Sequence, residues 1–353
     1  MRSILAGAAA ALAMGGAALA ASPANVLFYV PWDQAGRAEA PARLAGGVTF
    51  APLWVTLTSA DGTLAVADDA KSFPKVRRPG PVMPLVSNAH DGVWDGPAVV
   101  AATTDSAVRD RVIGRLVTLA QQRGWAGYVF DFEALPPPAA AAYPAFVAAA
   151  KAALAAHGKR VWSAALLSAD PLLLKGLQDA SDRLVVMAYD QCWATSTPGP
   201  VAGEDWLEFT LAQKLPGLDA KKLVLGLATY AYDWPAGGTA AILSVPDARA
   251  LAARHGAAVT RDLATANATF GYVAADGVPH SVWIADETAF SWAAGAARKA
   301  GVRDVALWRL GLEAPTFWTT RPAGGDYVAA GAAPPKLPRC VLLPQFAPPP
   351  PKP

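Results

Sequence analysis

Asp131 and Glu133 stand two residues apart at the end of the segment Gly127-Tyr128-Val129-Phe130-Asp131-Phe132-Glu133. Extended backbone alternates its side chains, so Val129, Asp131 and Glu133 share one face and Tyr128, Phe130 and Phe132 the other. The aromatic face calls for a covering layer of helices. The acidic face must look into a cavity, because an ionised carboxylate without water or hydrogen-bond donors is costly to bury. A solvated strand would alternate apolar with polar residues, and three aromatics on the second face do not fit that pattern. Two carboxyl groups at the mouth of a buried strand are the equipment of glycoside hydrolysis, in which an acid delivers a proton to the bridging oxygen.

The surrounding chain supplies elements that could hold such a strand. A helix-like run closes at Gln121-Gln122-Arg123 before Gly124, and Pro136-Pro137-Pro138 cuts the strand off. Strand-like runs recur at 25–30, 48–57, 81–87, 127–135, 160–167, 184–190, 223–230 and 305–310. Helical patterns occupy 106–122, 139–156, 205–215, 246–255 and 287–300. This α/β alternation predicts a (β/α)8 TIM barrel over residues 24–320. An open doubly wound sheet is the weaker fit, since no glycine-rich phosphate loop follows the first strand. Between strands seven and eight, 270–274 and 280–284 flank Asp276-Gly277, a turn dipeptide that predicts a small β-hairpin insertion. From 321 to 353 the chain is rich in Gly, Ala and Pro and reads as an extended tail.

Barrel enzymes carry their chemistry at the C-terminal ends of the strands. Residues expected there are Trp32 after strand one, Asn88 and His90 after strand three, and Asp131 with Glu133 after strand four. Tyr189 and Asp190 follow strand six, Tyr230, Tyr232 and Trp234 follow strand seven, and Trp308 lies in strand eight as a floor. Aromatic faces suit stacking on the C–H faces of sugars, so Trp193, Trp234 and Trp308 are assigned to the pocket, whereas Trp125 and Trp162 are assigned to the core. The four histidines lack metal-ligand spacing, and His157 and His255 are read as helix-end residues. No metal or cofactor is expected. A formal net charge of +2, with no basic stripe, gives no case for nucleic acid as a partner.

Arg2, an apolar stretch from Ile4 to about Ala17 and then Ala18-Leu19-Ala20 read as a secretory signal over residues 1–20, cleaved after Ala20. The expected product is periplasmic or extracellular, with no stable membrane insertion. Cys192 and Cys340 are the two cysteines, read as separate thiols in preference to a bridge. A bridge would pin the tail beside the active face.

Tyr128 to Glu133, Met187-Ala188-Tyr189-Asp190, Leu225-Gly226-Leu227, Tyr232-Asp233-Trp234 and Trp308-Arg309-Leu310-Gly311-Leu312-Glu313 together resemble the family 18 glycoside hydrolases. Pro84, Ser87-Asn88 and Gly92-Val93-Trp94 fit the branch found in spore-cortex-type lytic enzymes and in modules fused to polysaccharide deacetylases and glycosyltransferases. The resemblance runs from about Asn25 to about Pro315. It implies retaining, substrate-assisted hydrolysis of β-linked N-acetylhexosamine polymers such as peptidoglycan, chitin or an exopolysaccharide. On that footing Glu133 is the general acid, Asp131 orients the 2-acetamido group, Tyr189 hydrogen-bonds it and Asp190 is a substrate contact. The chain departs from the chitinase pattern at Ala126 and Val129, where further aspartates would stand. Slower turnover or a shifted pH optimum is the expectation from Val129. The competing readings are a barrel that binds glycan without cutting it, and an accessory of envelope or exopolysaccharide assembly docked by its proline tail.

Overall fold

The computed structural model describes residues 23–44, 47–67, 80–319, 340, 341 and 343. The expected signal and nearly all of the 321–353 tail lie outside the described residues. Eight parallel strands form a closed ring: Val26–Tyr29, Thr49–Leu57, Leu85–Ser87, Gly127–Asp131, Arg160–Leu166, Arg183–Met187, Leu223–Ala228 and Asp304–Trp308. The last strand returns to the first through Val26 opposite Ala306 and Leu27 opposite Leu307. This is the (β/α)8 barrel that the pattern of runs predicts.

Several strands stop earlier than expected. The fourth ends at Asp131, the sixth at Met187 and the seventh at Ala228. Glu133, Tyr189, Asp190 and Tyr230 therefore stand in the loops that leave the ring, where the Asn88 side chain serves the Glu133 backbone and the Ala285 N–H donates to the Tyr230 carbonyl.

Alternation along the fourth strand sorts its residues as the sequence implies. Val129 packs inside the barrel with Val26, Phe28, Leu85, Trp162 and Val185. Tyr128 and Phe130 face outward and, with Phe132, join Leu116, Phe146 and Val147 under the helices Ser106–Arg123 and Pro137–Ala155. Phe130 and Phe146 meet edge to face with ring centroids 5.3 Å apart. Trp125 and Trp162 are both buried core residues.

Aspartate fixes the start of most covering helices. Asp33, Asp95, Asp105, Asp170 and Asp286 each accept from a first-turn N–H, satisfying donors that a helix start leaves open. Ser106–Arg123 ends at Gly124 in the left-handed region, φ 69°, a conformation that glycine adopts without steric cost. His157 and His255 do sit at helix C-termini, and the His255 ring also lies 4.4 Å from that of Tyr272.

The insertion between strands seven and eight is larger than a hairpin. Ala268–Val273 and Pro279–Ile284 pair around the Asp276-Gly277 turn, but they are the centre of a five-stranded antiparallel sheet. Ala231–Pro235, Ala241–Leu243 and Thr260–Arg261 complete it, with the helix Val245–Arg254 packed alongside. Buried Asp286 joins this layer to the barrel. Its carboxylate takes both Arg261 guanidinium nitrogens at 2.7 Å and Arg249 at 3.3 Å while capping the helix Glu287–Lys299.

Cys192 and Cys340 form a disulfide, which corrects the reading as separate thiols. The fold brings together two residues 148 positions apart. The short segment beyond Cys340 also pairs with the loop after Cys192, through Thr197 N–H to Val341 O at 2.8 Å and Leu343 N–H to Thr195 O at 2.9 Å.

Candidate active site

The C-terminal mouth of the barrel opens into a cavity of about 510 Å³. Its lining includes Trp32, Ser87, Trp94, Asp131, Glu133, Tyr189, Asp190, Tyr230, Tyr232, Trp308 and Arg309. Asp131 closes the fourth strand, and Glu133 follows in a loop whose next residue, Ala134, is left-handed at φ 49°. What holds Glu133 in place is Asn88. Its side-chain oxygen accepts the Glu133 N–H at 2.9 Å and its amide nitrogen donates to the Glu133 carbonyl at 3.1 Å.

Burial sets the electrostatics of the two acids. Removal from water raises the pKa of Asp131 well above the carboxylate range. Burial also raises Glu133, and the nearby charges of Asp131 and Asp190 push it further in the same direction. The pair shares this environment, so the titration belongs to both groups together. Among the described residues Asp131 Oδ1 is buried without a hydrogen-bond partner. The preceding inward residue on the strand is Val129, which offers no polar group. An acceptor without a donor adds to the burial that raises this acid.

Tyr189 stacks on Trp308 with ring centroids 5.9 Å apart and 16° between planes, making a flat apolar floor next to the acids. The Trp308–Arg309 peptide is cis. Asp190 adopts φ 57°, a left-handed conformation uncommon for a residue with a Cβ. Its carboxylate accepts hydrogen bonds from the hydroxyls of Tyr230 and Tyr232, the latter at 3.0 Å. Those bonds work against burial, which raises the Asp190 pKa. At the rim Trp32 and Trp94 are 68% and 41% exposed, broad apolar surface at the entrance.

Two of the expected substrate contacts are placed elsewhere. Asn88 is fully buried under the Glu133 loop, so it positions the acid from behind. Replacing it with alanine removes both backbone bonds. Asn88→Ala is expected to lower kcat about tenfold or more with a smaller change in KM, measured by steady-state kinetics. Trp234 is 1% exposed and packs behind Tyr232 with ring centroids 5.1 Å apart, away from the opening. Trp193 lines an adjoining cavity of about 430 Å³ with Glu133, Tyr189, Asp190, Gln191 and Trp206. His90 lies at the rim, its ring nitrogens within hydrogen-bond distance of the carboxylates of Asp91 and Asp95. Those contacts raise its pKa.

Trp94, Trp206 and Arg309 are lining residues that were not assigned from the sequence. Trp94 and Arg309 lie within quoted motifs, so position after a strand end was the available signal. Arg309 is ion-paired with Asp33, the cap of the first helix, which no local pattern reveals.

No protein-family model matches the chain. It is 27% identical over 247 residues to the uncharacterized glycosylase YvbX of Bacillus subtilis, covering 66% of this chain and 72% of that protein. It is 23% identical over 285 residues to a cortical fragment-lytic enzyme of Bacillus anthracis, covering 73% of this chain but 64% of the relative's length. A chitinase structure from Chromobacterium violaceum superposes with a TM-score of 0.73 at 29% identity, over 84% of this chain and 97% of that one. Fold, paired acids and relatives together define a glycosidase of the (β/α)8 class. More narrowly, the chain resembles the family 18 glycoside hydrolases, and its relatives fall in the branch that includes the cortex-lytic enzymes.

Proposed function

We propose that this protein is an exported hydrolase of β-linked N-acetylglucosamine polysaccharide that works by retaining, substrate-assisted catalysis. The observation that carries the reading is the buried pair: Glu133 with a raised pKa, and Asp131 with an orphan Oδ1, on one cavity above the Tyr189–Trp308 floor. In this scheme protonated Glu133 donates its proton to the bridging oxygen as the bond to the anomeric carbon breaks. The acetamido carbonyl oxygen attacks that carbon from the opposite side, while Asp131 accepts the acetamido N–H and Tyr189 donates to its oxygen. Glu133, now a carboxylate, takes a proton from water as the water opens the cyclic intermediate. The sugar that is cut thus keeps its β configuration. Asp190, Tyr230 and Tyr232 hold its far side, and the exposed indoles of Trp32 and Trp94 receive the polymer.

Support for this substrate class comes from the relatives' names, chitinase and cortical fragment-lytic enzyme, and from the aromatic lining. Secretion rests on the sequence pattern of residues 1–20 and agrees with the Cys192–Cys340 bond, which an oxidising compartment favours. Protein starting at Ala21 is to be incubated with chitooligosaccharides, poly-N-acetylglucosamine and peptidoglycan, with new reducing ends followed by proton NMR. Early appearance of the β anomer is expected. An α anomer first would overturn the mechanism, and absence of cleavage from all three would make the barrel a glycan-binding protein.

A further inference from the structure

Four neighbouring strands begin with a cation at the end of the barrel opposite the cleft. Arg160 and Arg183 are the first residues of Arg160–Leu166 and Arg183–Met187, Lys222 directly precedes Leu223–Ala228, and Arg303 directly precedes Asp304–Trp308. These strands are consecutive around the ring. The acids on the same rim are already engaged. Asp182 pairs with Lys151 at 2.9 Å, Asp304 pairs with Arg183, and Asp219 accepts the Lys221 N–H at 3.0 Å.

A recess of about 540 Å³ opens here, between the loops that lead into Leu223–Ala228 and Asp304–Trp308. Arg183 forms its back and is held in place. Its guanidinium lies over the Trp162 ring, 5.3 Å from the centroid, and donates to the Leu223 carbonyl at 3.1 Å as well as to Asp304. Buried Gln178 fixes the nearer loop from behind, since its Oε1 accepts the Asp219 N–H at 2.8 Å and its amide donates to the Asp219 carbonyl at 3.1 Å. Lys221 and Arg303 complete the lining. Both are exposed, and neither side chain has a hydrogen bond or ion pair with any described residue. Three cations thus face two carboxylates within the lining, one of which Arg183 already neutralises, while Arg160 and Lys222 add positive charge alongside.

We propose that this recess binds a phosphate group of an anionic polymer, a second attachment point at the end of the barrel away from the cleft. A phosphate presents several oxygens, enough to accept from an ammonium and a guanidinium fork together. The recess has room for more than the bare ion, which favours a phosphate carried on a chain. No aromatic side chain stands among its lining residues to stack on a nucleic-acid base. None of the large exposed hydrophobics among the described residues lies in the loops that enter these four strands, so this rim lacks the apolar surface that would enter a bilayer.

Calorimetric titration of protein starting at Ala21 with tripolyphosphate at low salt tests the site. Binding with a dissociation constant of about 1 mM or tighter is expected, weakening as salt is raised. Lys221→Glu and Arg303→Glu should each weaken it about fivefold or more, whereas Arg115→Glu, the same charge change at an exposed position of the helix Ser106–Arg123, should alter it less than about twofold. All three variants should melt at the wild-type temperature. Absence of binding, or equal weakening by all three variants, would overturn the site, and orthophosphate binding as tightly as tripolyphosphate would overturn the polymer. Tighter binding of a thymidine oligonucleotide of equal charge would shift recognition to a base, and co-sedimentation with phosphatidylglycerol vesicles that Lys221→Glu and Arg303→Glu abolish would shift it to a membrane. Either result defeats the proposal. No cleft residue takes part, so cleavage of N-acetylglucosamine oligosaccharides stands or falls separately.

Discussion

Glu133→Gln is expected to reduce kcat on N-acetylglucosamine oligosaccharides by about 10²–10⁴-fold, the usual contribution of a positioned general acid. The amide keeps the shape of the side chain and leaves the backbone bonds to Asn88 intact, so the loss should fall on chemistry and hardly on binding. The wild-type pH profile should carry the mark of the same residue. Burial and the charges of Asp131 and Asp190 raise its pKa, so activity should persist above the ordinary carboxylate range and fall as pH rises through the raised value. A profile that collapses near pH 5 would contradict this assignment.

Thermal stability offers an independent reading of the same variant. Between the ordinary and the raised pKa the folded protein binds more protons at Glu133 than the unfolded chain does, so wild-type stability falls as pH rises through that window. Glutamine does not titrate. Glu133→Gln should therefore melt higher than wild type at neutral and alkaline pH, with the advantage fading toward pH 4. An inactive variant that melts lower at every pH would indicate a damaged fold.

Asp286→Ala should be the most damaging single change outside the cleft. It removes the cap of the helix Glu287–Lys299 and leaves the guanidinium of Arg261 without its bidentate partner. Breaking a buried ion pair costs about 3–5 kcal/mol, and partial exposure of Arg261 places this one near the lower end. In a chain of this size about 3 kcal/mol corresponds to a fall in Tm of roughly 4 °C, measurable by calorimetry. Asp286→Asn keeps an acceptor for the helix N–H groups and should lose less. Tyr232 and Ile242, both in the insertion sheet, line the cleft, so activity of the alanine variant should fail at a lower temperature than that of wild type.

The barrel was legible because buried parallel strands read as short apolar runs bounded by Gly and Pro, and eight of them with helices between leave few ways to close. Closure then gathers every strand end at one mouth, which is why Asp131, Glu133, Tyr189, Asp190 and Trp308 can be named before any coordinates. What escaped depends on distances along the chain that no window spans. Asn88 reads as a pocket residue after strand three until the pairing of Ser87 with Asp131 sets it beneath the Glu133 loop. Cys192 meets Cys340 across 148 residues, and Asp33 meets Arg309 across 276. Trp234 sits two residues beyond Tyr232 on the same strand, and alternation sends both to one side, where the nearer ring takes the opening and the farther one is covered. The insertion sheet was undercounted because Ala241–Leu243 and Thr260–Arg261 are too short to show a period.

Ring closure also fixes the order in which function can appear during synthesis. The acids at 131 and 133 emerge early, but the strand Asp304–Trp308, which seals the ring against Val26–Tyr29, leaves the ribosome after the other seven strands of the ring and brings Trp308 and Arg309 with it. Cys340, which ties down the loop of Trp193, follows later still. A nascent or C-terminally clipped chain therefore carries its proton donor without the surface on which a sugar would lie, and competence arrives in one late step with the final strand.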